Sequence, residues 1–553
     1  MEKIWLKNWP EGLPMEIRYL QGAKPLFEYL RAHAKTWPEK TAINYYGLKI
    51  SYAEFDRLTD CFAAFLSAEG VKKGDRVALQ MQNCPQYSIC QIGAQKAGAV
   101  VVPCDPMFKS WELETRLTQT GTKTIVCQDE LYPGVEEANA KCKFDRVIVT
   151  GFADFLPEDP SFPIHETMTR PRMHVPGTLE LLDILKDGGQ GYSSPEITVD
   201  DLCLLQFTSG STGMPKGAML SHGSQLYKAA AQTMFYKYDP EDMMLTAMPI
   251  YHIAGILWGI ATPLYIGCTT VIMTRFDPVA MAAAIHRVKC SKMYGTVSMN
   301  VDLLKLTNVD LTSMRTTLAT SFGIFLTEDV VREWNRATQG GMIVEAAYGL
   351  TETHAGDTFN PLDKPRIDSV GIPHAGTDLR IMDFDDSHRE LGPEQVGEIT
   401  IKSPAVFHGY WEREDATKEA LRDGRLYTGD IGKFDEDGYV YFLGRKKEMI
   451  KASGYAIAPE EVEGFMMRHP AVDQCACIPI PDTKRGESVK AFIVLNPAHA
   501  GKISAQELIE WARDKMAAYK YPRVIEFRQE IPMSATGKVL RRILREEESG
   551  QSK

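Results

Sequence analysis

Thr208-Ser209-Gly210-Ser211-Thr212-Gly213-Met214-Pro215-Lys216-Gly217 is the stretch on which the reading of this chain turns. Its four hydroxyl residues and three glycines leave backbone N–H groups uncovered on a loop. Such a loop can wrap phosphate oxygens, and Lys216 adds a positive charge. The run before it, Leu202-Cys203-Leu204-Leu205-Gln206-Phe207, reads as a buried strand, and Ala218-Met219-Leu220 after it is again apolar. The loop therefore sits between two strand-like segments. It is not a Walker loop, because Pro215 precedes Lys216 and Gly217 follows it. Nor does it have the G-x-G-x-x-G spacing of a dinucleotide site. On composition alone, a string of this kind is more often a flexible surface turn.

Outward from the loop, strand-like and helix-like segments alternate through the first two thirds of the chain. Arg76-Val77-Ala78-Leu79-Gln80-Met81 precedes a helical stretch over 86–99, and Val100-Val101-Val102-Pro103 follows. Thr269-Thr270-Val271-Ile272-Met273 precedes a helix over 278–288. Alternation of this kind predicts α/β layers with parallel sheet. The acidic, proline-rich 156–163 reads as a surface excursion, and 188–195 as the link back to the strand before the loop. Character changes after Tyr439-Val440-Tyr441-Phe442-Leu443. Gly444-Arg445 ends that strand, Lys446-Lys447-Glu448 is a charged run, and Pro459 opens a helix. The expectation is a large multi-layered α/β N-terminal domain over 1–445, with mixed and parallel sheets, and a small mobile α+β C-terminal domain over 446–553.

Bulk properties narrow the class. A chain of 553 residues is a soft prior for about three or four domain-sized units. The net charge of −11 makes a general nucleic-acid binder a poor reading, since phosphate would be repelled. The first residues carry no long apolar stretch, and no window approaches the roughly 18 apolar residues of a membrane span. The eleven cysteines show no C-x-x-C and no framework spacing, which predicts reduced thiols in a cytoplasmic protein. Cys475-Ala476-Cys477 alternates like a strand and reads as core rather than as a metal site. The sequence leaves a homodimer open.

Five further segments follow the loop or its neighbourhood in order: Met248-Pro249-Ile250-Tyr251-His252-Ile253-Ala254-Gly255, Tyr348-Gly349-Leu350-Thr351-Glu352-Thr353, Tyr427-Thr428-Gly429-Asp430, Gly444-Arg445-Lys446-Lys447-Glu448 with Gly454, and Pro532-Met533-Ser534-Ala535-Thr536-Gly537-Lys538. With the ten-residue loop they span most of the chain. Together they resemble the adenylate-forming enzymes, the family of acyl-CoA synthetases, peptide-synthetase adenylation domains and luciferases, and most of all its AMP-forming fatty acyl-CoA ligases. The resemblance implies ATP, Mg²⁺ and coenzyme A as co-substrates and cofactor. It implies that Thr208, Ser209, Gly210, Ser211, Thr212, Gly213 and Lys216 hold phosphates, that Tyr348 meets adenine, that Asp430 meets the ribose, and that Arg445 meets the ribose or a phosphate. It implies a pivot at Lys447, a thiol-side face at Gly454, and a pocket at His252, Phe322 and Gly323. Lys538 becomes the catalytic lysine.

The residue types suit those roles. Thr351 can hydrogen-bond a phosphate, and Glu352 is a hard carboxylate for Mg²⁺, which takes one or two carboxylates plus substrate phosphates. Asp430 can accept both ribose hydroxyls, and Arg445 is permanently charged. A carboxylate attacking an α-phosphate makes a crowded anionic transition state, and a cation such as Lys538 is the expected device against it. The bulky Ser321-Phe322-Gly323-Ile324-Phe325-Leu326 departs from the small-residue pattern of the family and leaves the pocket shape open. No acidic residue lies within 248–257, where an amino-acid substrate's ammonium would need a partner. The expected substrate is a hydrophobic carboxylic acid, a medium- or long-chain fatty acid, with an aromatic or alicyclic acid as the alternative. Transfer to a carrier-protein arm and a catalytically idle scaffold are the other two readings.

Overall fold

The apolar runs on either side of the loop are neighbours in one sheet. The computed structural model describes residues 3–186, 188–208, 215–321, 325–452, 455–483, 485–534 and 537–550. Leu202–Thr208 and Lys216–Ser221 pair antiparallel, with Thr208 opposite Lys216. They close a seven-stranded sheet that continues through Val100–Cys104, Arg76–Gln80, Thr124–Gln128, Arg146–Thr150 and Leu179–Glu180, all parallel. Its strands are near-continuous apolar runs because both faces are covered. Val77 and Leu79 point into the main core while Ala78 points to a second core, the period-2 alternation of a strand. Helices Ser110–Gln119 and Tyr132–Cys142 cover that second face through Leu113, Leu117, Val135 and Ala138.

A second seven-stranded sheet runs Met342–Glu345, Thr316–Thr320, Lys292–Thr296, Met243–Thr246, Thr269–Ile272, Thr41–Tyr45, Leu48–Ser51. It is parallel except for the terminal hairpin. Helices Leu26–Thr36, Tyr52–Ala68, Pro85–Lys96 and His222–Phe235 pack between the two sheets. The expected helix over 278–288 is present as Pro278–Val288. Asp277 caps it, accepting from the Ala280 N–H at 2.7 Å, with proline at the first helical position.

A third, antiparallel sheet carries Asp378–Met382, Gly397–Lys402, Arg425–Phe434, Leu421–Arg422 and Val440–Arg445. After the short 3₁₀ turn Lys446–Glu448, a fourth sheet begins. It holds Ile450–Ala452, Tyr455–Ile457, Val472–Asp482, Gly486–Leu495 and Val524–Arg528. It has its own core, built on Ile450, Val462, Cys477, Ile493 and Leu508. The fold is thus mixed α/β, with a large N-terminal domain of parallel and mixed sheets and a smaller C-terminal domain. Cys475 and Cys477 lie in that small core, and all eleven cysteines are buried free thiols.

Topology gathers the quoted segments. The strands Leu202–Thr208, Met243–Thr246, Thr316–Thr320 and Met342–Glu345 all end where a candidate segment begins. The carboxyl ends of parallel strands are where open α/β sheets bind ligands.

Candidate active site

Thr208 and Lys216 face each other on adjacent strands, and the Thr208 hydroxyl donates to the Lys216 carbonyl at 3.4 Å. Ser209, Gly210, Ser211, Thr212 and Gly213 lie outside the described residues, as do Phe322, Gly323 and Gly454. The Lys216 ammonium sits 5.0 Å from the centre of the Tyr410 ring.

The segment 348–353 is held by a turn behind it. His354, Ala355 and Gly356 all adopt positive φ, at 60°, 60° and 53°. Two of these are not glycine, a concentration of backbone strain typical of sites that surrounding structure must hold in place. The turn brings the Asp357 N–H onto the Tyr348 carbonyl at 2.6 Å and the Ala355 N–H onto Leu350 at 2.8 Å. A β-carbon on Gly349 would lie 2.2 Å from the Gly356 nitrogen. Gly349 is therefore required by its own turn. Behind the turn, the fully buried Lys228 donates to the Gly356 carbonyl at 2.7 Å and to Asp357 at 2.6 Å. Thr353 completes the network by donating to the other Asp357 oxygen.

Glu352 stands at the front of the same segment, beside Thr351 in the 3₁₀ turn Thr351–Thr353. Its Oε1 accepts from the Tyr410 phenol at 2.7 Å, and its backbone carbonyl accepts from the Phe407 N–H at 2.8 Å. Burial first, and the Glu352 charge second, raise the Tyr410 pKa and keep the phenol a donor. Among the described residues Glu352 Oε2 accepts no hydrogen bond, and no group of three or more His, Cys, Asp or Glu converges as a metal cage. One carboxylate with a free oxygen fits Mg²⁺ that is otherwise held by substrate phosphates and water.

Tyr348, Asp430 and Arg445 form a chain. The Tyr348 phenol donates to Asp430 Oδ2 at 2.8 Å, and Arg445 Nε lies 2.9 Å from Asp430 Oδ1. Asp430 and Arg445 are cross-strand partners, so the sheet itself sets that contact. Burial raises the Asp430 pKa, opposed by Arg445, then Tyr348 and Lys538. The Tyr348 ring stacks on Phe442, with centroids 5.9 Å apart.

Lys538, on the C-terminal domain, lies close enough to this chain to feel the charges of Arg445 and Asp430. The Ser534 N–H donates to the Lys538 carbonyl at 2.8 Å, the Gly537 N–H to Ser534 at 2.9 Å, and the Lys538 N–H to the Ser534 hydroxyl at 3.1 Å. This tight hairpin displays the lysine. Lys538 as a residue keeps exposed surface, yet its ammonium senses the whole site. Loss of hydration and then Arg445 lower its pKa, while Glu448, Asp430 and Glu460 oppose them. Arg541, three residues on, is no solvated tail. It is buried and pairs at 2.7 Å with each of Glu448, Glu460 and Glu463, fastening the lysine hairpin to helix Pro459–Met466 and to the turn Lys446–Glu448. Lys447 in that turn is exposed.

His252 begins the helix Ile253–Ile256, its Nδ1 accepting from the Ala254 N–H at 3.4 Å. Burial first and the Lys538 charge second push its pKa down to about 4, so the imidazole is neutral near pH 7. Beyond it, Ser321 donates N–H and hydroxyl to the two oxygens of Glu345, at 3.1 and 2.5 Å. Phe325 packs against Gly464 of the C-terminal domain, where a β-carbon would lie 3.3 Å from the ring. Sequence reasoning missed Tyr410, the Lys228–Asp357 pair and the Arg541 cluster. Only Tyr410 carried any local signal, as the aromatic after Gly409.

Residues 30–411 match the model described as AMP-binding enzyme, and residues 461–538 match the AMP-binding enzyme C-terminal domain. The chain belongs to the AMP-binding, adenylate-forming enzyme family. Within it, the chain is 34% identical over 567 residues to a long-chain-fatty-acid–CoA ligase of Bacillus subtilis, covering 99% of this chain and 98% of the relative. It is 32% identical over 517 residues to a feruloyl-CoA synthase of an Amycolatopsis, covering 92% and 96%. The crystal structure of ATP-bound MatB from Rhodopseudomonas palustris superposes with a TM-score of 0.82 at 28% identity, covering 95% of this chain and all of that one. No helix among the described residues is long and apolar enough to cross a membrane.

Proposed function

We propose that this chain is an AMP-forming acyl-CoA ligase that activates a hydrophobic carboxylic acid, a medium- or long-chain fatty acid, in the cytoplasm. The observation that carries the reading is the Tyr348–Asp430–Arg445 chain, which follows the parallel strand Met342–Glu345 and lies within electrostatic reach of Lys538. The full-length likeness to a long-chain-fatty-acid–CoA ligase supports the acid class.

In the first half-reaction a substrate carboxylate oxygen attacks the α-phosphorus of ATP. The bond from that phosphorus to the bridging oxygen breaks, and pyrophosphate leaves with the electron pair. Lys538 supplies a preorganised cation where charge builds. Asp430 and Arg445 fix the ribose end, and Thr208 and Lys216 the phosphates. Glu352 would hold Mg²⁺, which when bound offsets charge on the phosphates. In the second half-reaction the coenzyme A sulfur attacks the acyl carbonyl. The bond to AMP breaks, AMP leaves, and the thiol proton passes to solvent. The neutral His252 can then stand between the pocket and the thiol without repelling either partner. We place the pivot that exchanges the two arrangements at Lys447, with domains over 1–445 and 446–553.

The likeness to a feruloyl-CoA synthase favours a ring acid as the second reading. Pyrophosphate release is measured across straight-chain acids from short to long and across ring acids, with and without free coenzyme A. Turnover that peaks on long straight chains and needs coenzyme A is the expected result. A peak on ring acids selects the second reading, and no release with any acid overturns both.

A further inference from the structure

Tyr410 joins two parts of the site that the sequence treats as separate. Its backbone is stapled to the strand returning from the phosphate loop. The Met219 N–H donates to the Gly409 carbonyl at 3.0 Å, the His408 N–H to Met219 at 2.9 Å, and the Trp411 N–H to Gly217 at 2.8 Å. Ala218 and Tyr410 form a bridge pair. Gly409 turns the chain at φ 121°, and a β-carbon there would lie 2.6 Å from the Thr417 side-chain methyl, so both the turn and its packing favour glycine. Tyr410 as a residue is 9% exposed, and its ring packs edge-on to Phe407, with centroids 4.8 Å apart.

From that fixed base the ring faces the Lys216 ammonium at 5.0 Å, and the hydroxyl donates to Glu352 Oε1 at 2.7 Å. The neighbouring Phe407 N–H holds the Glu352 backbone at 2.8 Å. Glu352 is thus clamped at both ends by one segment, while its Oε2 stays without a hydrogen bond among the described residues. A carboxylate with one oxygen tied and the other open is how outer partners orient a metal ligand. A cation over the face of a tyrosine is held electrostatically by the ring.

We propose that Tyr410 is a positioning residue that aims the Glu352 carboxylate at Mg²⁺ and sets Lys216 at the phosphate loop, coupling metal to nucleotide. This rests on the reading of Glu352 as the Mg²⁺ ligand. Tyr410→Phe keeps the ring and removes the hydroxyl, so it separates the two contacts.

Mn²⁺ affinity of the full-length enzyme is read from the electron paramagnetic resonance of free Mn²⁺, in the presence of a non-hydrolysable ATP analogue. Binding of the same analogue is measured separately in EDTA. Tyr410→Phe should weaken Mn²⁺ by about tenfold, the lower end for an outer partner, and leave metal-free analogue binding within about twofold. Tyr410→Leu should weaken both, because it also removes the face under Lys216. Glu352→Gln is the control. If it weakens Mn²⁺ while Tyr410→Phe does not, the positioning role is overturned and the ligand reading stands. If Glu352→Gln leaves Mn²⁺ unchanged, the ligand reading itself falls. Tyr410→Trp, which keeps a ring face without the phenol, carries the same expectation as phenylalanine if that variant does not accumulate folded.

Discussion

Asp430 and Arg445 oppose each other in register on adjacent antiparallel strands, with 2.9 Å between Oδ1 and Nε. The carboxylate side chain is 3% exposed and the guanidinium side chain 33% exposed. The pair is therefore lopsided: Arg445 can regain water if its partner is lost, while Asp430 cannot. Asp430→Asn should leave the thermal midpoint close to that of the wild type, since the charge it removes is the poorly hydrated one. ATP binding should weaken by about tenfold or more, the scale of a lost hydrogen bond to a charged group. Calorimetric titration with ATP decides it, and an unchanged Kd would take Asp430 out of the nucleotide site.

Lys538→Ala should slow adenylate formation by on the order of a hundredfold or more, as for other groups that stabilise transition-state charge. Thioester formation from supplied acyl-adenylate should be much less affected. The pH dependence follows from the lowered Lys538 pKa, caused by burial and then by Arg445. The protonated form acts, so adenylation should fall on the alkaline side below the 10.5 of an ordinary lysine. Lys538→Arg stays charged throughout and should lack that limb. Pyrophosphate exchange against pH gives the comparison. An alkaline limb shared by both enzymes would assign it to another group.

How much of this was legible in the sequence depends on the range of the interaction. The strands Arg76–Gln80, Val100–Cys104 and Leu202–Thr208 were readable because both faces are covered and their apolar runs are local. The helix Pro278–Val288 was readable because Asp277 and Pro278 mark its start. Strand order was not, since nothing local pairs Thr41–Tyr45 with Thr269–Ile272, more than two hundred residues away. In the site, Asp430 and Lys538 stood out through motif context. Lys228, by contrast, lies inside an alanine-rich helix and looks solvated until the fold sets Asp357 against it. Arg541 looked like one of a run of basic residues until three glutamates from other segments closed around it.

Lys228 and Asp357 are both fully buried, at 2.6 Å. Their pairing stabilises the turn through His354, Ala355 and Gly356 that supports Tyr348 and Glu352. Lys228→Met removes one charge and leaves the other buried, which costs about 3–5 kcal/mol for pairs of this kind. The expected result is a clear drop in thermal midpoint. Lys228→Met combined with Asp357→Leu should recover part of the loss, because no uncompensated charge remains. A double variant as unstable as the sum of the two singles would mean that packing, and not the ion pair, dominates there.

Lys447 lies in the 3₁₀ turn Lys446–Glu448, between the last strand of the third sheet and the first of the fourth. Its neighbour Glu448 is held by Arg541, and Gly444 before it, at φ 134°, admits Glu460 where a β-carbon would lie 2.3 Å from Oε2. The turn is thus anchored on both sides, and the backbone between is where a change of φ and ψ can exchange one arrangement for another. In the arrangement seen here Lys538 is within electrostatic reach of Asp430. Proline at 447 fixes φ near −65°, a value open to the first turn of a helix, and narrows Lys446 as well. Lys447→Pro should therefore keep adenylation within about tenfold while transfer to coenzyme A falls much further, through lost positioning. The alternative is that Lys447 is only a solvated charge, in which case proline lowers stability and slows both steps alike. Pyrophosphate exchange and single-turnover thioester formation on the same variant separate the two. Parallel losses would remove Lys447 as the pivot, and with it the rotation that lets one site serve both half-reactions.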